Sequence, residues 1–328
     1  MYILTETGLA ESATLADAPK VSAADAQVLA KAATLAAACG KAVAELEKSV
    51  GFLATAAQQD LLRDILGVLR VFLPDRHGVW DRNGRVLKTS ARYRTEVIPK
   101  NPPRDVPFFF HHDTWFYVSF QKATAAGIQR PFEPGHRCWI YLCAANLTTS
   151  IEPLADVLVH EAMHMQAHRY RSIEQKFGSR VAGETPTGAA GALLNRSSFN
   201  PLRAVMEKHF ETVAAFLNRQ PHRRGSLAAL SASVVKQWAE LLVEEVLAYV
   251  FAERATWALA QLAASKTGAG ISQQFAPMTF LKRYFRTYWL SDPVDLAALR
   301  SNASDAVFKP MERDLLNLVA AVRKHFGP

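Results

Sequence analysis

The 328-residue sequence predicts an α+β chain whose helices and strands are segregated rather than alternating. Three observations carry that expectation. Residues 22–73 and 151–325 place apolar side chains at three- and four-residue spacing. Residues 77–147 switch to short β-branched and aromatic runs punctuated by Pro and Gly. No strand–helix–strand unit repeats along the chain. The expected order is a helical N-terminal lobe over 1–75, then a larger domain over 76–328. That domain holds a small, mostly antiparallel sheet at 76–150, a central helix at 151–173 and a helical C-terminal part at 200–328.

Each element has a local cause. Residues 22–49 are Ala-rich, with Ser22 as N-cap and Gly51 just past the end. Residues 55–73 (TAAQQDLLRDILGVLRVFL) form an amphipathic helix that Pro74 stops. Asp81-Arg82-Asn83-Gly84 signals a turn between short strands. Further strands are expected at 92–98, 114–120 and 137–145. Residues 152–173 read as a helix, and 178–200, rich in Gly, Ser, Thr and Ala, read as a long loop or lid. Helices are expected at 201–218, 227–265, 278–289 and 310–325.

Composition narrows the function classes. Net charge is +8 with a pI near 9.4, a balance that favours anionic partners. The densest basic run, Arg219-Gln220-Pro221-His222-Arg223-Arg224, is short and has no interleaved aromatics, so it is only a weak argument for nucleic acid, which is not the expected partner. Three cysteines, Cys39, Cys138 and Cys143, are too few for a disulfide framework. No window is apolar enough for a membrane span. The N-terminus lacks the basic start and apolar block of a Sec signal, so a cytoplasmic origin is expected, with non-classical export open.

The chemistry is concentrated in His160-Glu161-Ala162-Met163-His164. On a helix, residues four apart share a face one turn apart, so both imidazoles can reach one zinc at about 2.0–2.1 Å. Glu161 then lies beside the metal, placed to take a proton from the bound water and return it to a leaving amine. His160 and His164 are therefore the expected metal ligands and Glu161 the expected catalytic base.

His-Glu-Ala-Met-His matches the HExxH signature, and the stretch WIYLCAANLTTSIEPLADVLVHEAMH resembles the strand, loop and active-site helix of zincin metallopeptidases. Its wording is similar to the deuterolysin type. The resemblance covers about 30 residues; it implies a zincin-like fold, a Zn2+ cofactor and a strand at Arg137–Ala145 that binds polypeptide substrate by strand addition.

A catalytic zinc keeps three protein ligands and one open position. His168 continues the same helix face but stands about 12 Å from His160 along the axis, too far for one ion. The metzincin type places a Gly turn before its third His, which is missing here. The deuterolysin type uses an Asp after the helix, and no Asp occurs between Asp156 and Asp292. The gluzincin type uses a Glu from a later helix, often as E-x-x-A, which Glu245-Val246-Leu247-Ala248 offers. Glu245 is thus the expected third ligand and Glu244 its alternate, with Glu184, Glu207 and Glu211 behind them. Tyr249, one turn after Glu245, is the first candidate for the donor to the developing oxyanion, followed by His209, His168 and Arg254.

The expected activity is zinc-dependent hydrolysis of peptide bonds. A compact chain of this kind with an unrelated helical N-terminus resembles bacterial toxin or effector peptidases, which implies an inhibitor or immunity protein as a further partner. Two alternatives stand beside it: a zinc amidase acting on cell-wall peptides, which the basic charge favours, and a non-enzymatic helical interaction protein carrying the motif by chance.

Overall fold

The computed structural model describes residues 2–5, 8–11, 23–72, 77–80, 86–89, 108–111, 117–122, 136–143, 149–177, 188–219, 231–267 and 305–327. Seven α-helices lie among them: α1 (Ala23–Ser49), α2 (Ala56–Phe72), α3 (Ile151–Phe177), α4 (Gly188–Leu194), α5 (Asn200–Asn218), α6 (Ala232–Thr267) and α7 (Asp305–Phe326). Six of these coincide, within a few residues at their ends, with helices expected from apolar spacing. The helix expected at 278–289 lies outside the described residues.

Local chemistry accounts for several boundaries. Thr55 and Gln58 form a capping box at the start of α2: the Gln58 backbone N–H donates to Thr55 Oγ1 at 3.2 Å, and the Thr55 N–H donates to Gln58 Oε1 at 3.3 Å. The apolar stripe of α2 is fully used, since Leu61, Leu62, Ile65, Leu66 and Leu69 are all buried. Pro201 stands in the first turn of α5, where a missing N–H costs nothing. Pro310 lies inside α7.

Backbone contacts divide the chain into two compact units, residues 1–194 with 254–271, and residues 195–253 with 272–328. In the first, α1 packs against α2 and α3, and α2 against α3 and α4. Gln166, itself buried, ties α3 to α2 by donating its side-chain amide to the Asp64 carbonyl at 3.2 Å. In the second, α5 packs along α7. Phe210 meets Trp238 edge-on at 5.6 Å, and Phe251 meets Phe326 at 5.4 Å. Arg323 on α7 grips the Glu253 carboxylate of α6 through two nitrogens, at 2.8–3.2 Å.

The α+β expectation is overturned. Residues described with their side chains are 93% helical and include no strand, and the described core is drawn from helices and the turns that join them. Among the residues described with their side chains the class is therefore helical, not α+β. Extended backbone does run at β1 (Tyr2–Thr5), β2 (Gly8–Glu11), β3 (His77–Trp80), β4 (Val86–Thr89), β5 (Phe108–His111), β6 (Tyr117–Lys122) and β7 (His136–Cys143). Their pairing is mixed: β3 with β4 and β6 with β7 run antiparallel, whereas β3 with β5 and β5 with β7 run parallel. Since β7 pairs with β5 on one side and β6 on the other, it presents no open edge for an added substrate strand. The β-branched and aromatic runs of 77–147 report local extended preference, which does not decide where the core forms.

The second half of the expected 178–200 loop is ordered as helix. Gly188–Leu194 is α4, and Arg196–Phe199 is a 3-10 turn that buries Phe199. Its Ala and Leu content gave it an apolar face to bury, as Ala190 and Leu194 do. Residues 92–98 and the turn at 81–84 lie outside the described residues. No helix among the described residues is long and apolar enough to cross a membrane.

Candidate metal centre

The motif sits in the first half of α3, where the apolar residues Leu154, Leu158, Val159 and Met163 are completely buried. That anchoring fixes the rotation of the helix. It draws His160 and Glu161 into the interior as well, at 8% and 4% exposure, while His164 is half-buried.

The two imidazoles meet. His160 Nε2 and His164 Nε2 are 3.2 Å apart, with ring centroids at 4.9 Å and the planes inclined by 76°. Two nitrogens each about 2.0–2.1 Å from a tetrahedral zinc are separated by about 3.3 Å, so the pair already has the bite of a metal chelate. The same separation accommodates one shared proton, with one ring donating N–H and the other accepting. The donor set, two imidazoles with a carboxylate nearby, suits zinc better than calcium or magnesium, which take oxygen ligands.

Glu245, the expected third ligand, lies on α6 in the other compact unit. Glu245 and Glu244 are neighbours on α6, but their surroundings differ. Glu245 is half-buried, whereas Glu244 is 1% exposed and ion-paired with the Arg196 guanidinium.

Other residues picked out by sequence fall elsewhere. Tyr249 is buried one turn beyond Glu245 on α6. His209, considered as an oxyanion donor, is instead held by Asp314, with Nε2 and Oδ2 at 2.7 Å. Its hydrogen bond is the main reason the Asp314 carboxyl titrates below the usual carboxylate value. Arg254 is half-buried on α6, Glu207 is half-buried on α5, and Glu211 is exposed there. Glu184 and the side chain of His168 lie outside the described residues. Arg196 had no sequence signal, because it falls in the stretch read as a loop and its partner is 48 residues away.

No protein-family model, curated protein or solved structure matches the chain, so the metal-centre reading stands on the geometry of its own residues.

Proposed function

We propose that this chain is a zinc-dependent hydrolase that cleaves peptide amides. What supports the reading is the 3.2 Å approach of His160 and His164 on one buried helix turn, with Glu161 beside them. Zinc held there would supply a bound water with a pKa near about 7. Glu161 accepts a proton from the attacking water and delivers it to the leaving nitrogen, one residue serving as base and then as acid. Its burial on the same turn as the imidazoles holds the carboxylate at a set place, which is what general-base catalysis requires. Glu245, the candidate that the sequence offers, would serve as the third protein ligand, the number a catalytic zinc takes. Tyr249 is the proposed donor to the oxyanion that develops on the scissile carbonyl.

The test is hydrolysis of casein and of purified peptidoglycan by the zinc-loaded protein, with Glu161→Gln as the control. Casein cleavage that a chelator removes, zinc restores and Glu161→Gln lacks is the expected result. Cleavage of peptidoglycan alone would transfer the same machinery to a cell-wall amide. Activity that persists in Glu161→Gln would end the metallohydrolase reading. Toxicity on expression in bacteria that disappears with the same substitution would favour a toxin or effector role, and with it an inhibitor protein as partner.

A further inference from the structure

Apolar burial holds a helix in place without fixing its rotation sharply, because the hydrophobic effect is non-directional. On α3, Ala155, Val159, Ala162 and Met163 form a completely buried stripe, and Gln166 continues it at 2% exposure. A polar group buried so deeply needs a hydrogen-bond partner. Gln166 finds one in the Asp64 carbonyl, to which its side-chain amide donates at 3.2 Å. That acceptor is backbone of α2, flanked by the buried Leu61, Leu62, Ile65 and Leu66, so its place is set by the path of α2 itself. Both helices belong to the first compact unit. At about 100° per residue, Gln166 projects about 160° from His164 and about 120° from His160. The helix is thus pinned on one side and carries its imidazoles on another. Rotating α3 by about 20° would move a side-chain tip about 5 Å from the axis through nearly 2 Å. Metal–ligand distances tolerate only about 0.2 Å.

We propose that Gln166 is a positioning residue of the metal centre. Its bond to the Asp64 carbonyl fixes the rotational setting of α3, and so the direction in which His160 and His164 present their nitrogens. The inference rests on the zinc reading above and adds a residue to it that touches neither metal nor substrate. One helix turn supplies only part of a ligand set, so the direction of the pair decides whether a bound ion completes its coordination. A single directional bond within a packed apolar stripe is the device that selects one setting among several of similar burial.

The test uses the full chain and three readouts: zinc affinity by competition with a chromogenic chelator, the visible spectrum of the cobalt(II)-substituted protein, and thermal melting without metal. Gln166→Met keeps the length of the side chain and removes the donor. It is expected to weaken zinc binding by about 10-fold, as loss of an outer partner does, and to lower the intensity of the cobalt bands. Its metal-free melting temperature is expected to fall by no more than about 4 °C. Leu154→Ala, which empties a completely buried position in the first turn of α3, is the control for stability alone. It is expected to lower the melting temperature further while leaving zinc affinity and the cobalt spectrum at wild type. A folded Gln166→Met with wild-type affinity and spectrum overturns the proposal, as does a loss of zinc by Leu154→Ala equal to that by Gln166→Met. If Gln166→Met fails to fold, nuclear magnetic resonance of the wild-type Gln166 side-chain amide decides. Slow hydrogen exchange both before and after zinc loading supports the proposal, and exchange as fast as that of a free glutamine overturns it. Wild-type protein that binds no zinc overturns the metallohydrolase reading and this proposal together, whereas zinc binding indifferent to Gln166 removes this proposal only.

Discussion

His160 and His164 turn their Nε2 atoms toward each other across 3.2 Å from successive turns of α3. Either a proton or a cation must lie between two such nitrogens, since both cannot direct lone pairs at each other without repulsion. The expected outcome is one zinc per chain after dialysis, measured by elemental analysis. Replacing either histidine with Ala should lower affinity by more than the about 10–100-fold that loss of a supporting outer partner costs. A chain that takes up no divalent ion at micromolar concentration, with the imidazole nitrogen shifts unmoved by zinc, would establish the shared proton instead.

Glu161 is buried on the same turn of α3 as His160 and next to it in the chain. Its replacement by Gln keeps shape and removes basicity. Turnover should fall by about 10²–10⁴-fold, the usual contribution of a positioned base. Zinc content should stay at the wild-type level. A parallel loss of zinc would show that the carboxylate holds the site together rather than moving protons.

In the C-terminal unit, Asp314 is held by His209, and that hydrogen bond lowers the carboxyl pKa below its ordinary value of about 3.9. Desolvation opposes the shift, while Arg313 and Asn317 add to it. A depressed folded-state pKa contributes stability that is present above the unfolded value and is lost as pH falls through the folded one. Asp314→Asn should therefore lower the melting temperature at pH 6 and lose less stability than wild type between pH 5 and pH 3. Identical acid limbs for the two proteins would show that the pair contributes no pH-dependent stability.

Cys39 is completely buried on α1, and burial pushes its thiol pKa up to about 12. Reactivity belongs to the thiolate, so the native side chain should be inert. In a Cys138→Ser, Cys143→Ser background, a chromogenic disulfide reagent at pH 8 is expected to report no thiol until denaturant is added. Rapid labelling of the native protein would mean that α1 opens readily.

Helices were legible where apolar spacing is long and regular. The Leu and Ile positions of 61–69 are all buried, as their three- and four-residue spacing requires. Residues 188–194 were missed because Gly and Ala read as loop by composition, although Ala190 and Leu194 pack inside. The strand runs of 77–147 set the α+β expectation, whereas the residues described with their side chains are 93% helical.

The sequence by itself determined the His160–Glu161–His164 arrangement, because four residues of any α-helix make one turn and the chemistry lies within it. It also offered Glu245 and Glu244, ahead of Glu184, Glu207 and Glu211, as candidates for a third ligand. Only the tertiary structure paired Arg196 with Glu244, and only it gave His209 to Asp314, 105 residues away. Such pairings depend on which helix faces pack together, and that is settled by burial over the whole chain, which no local spacing records.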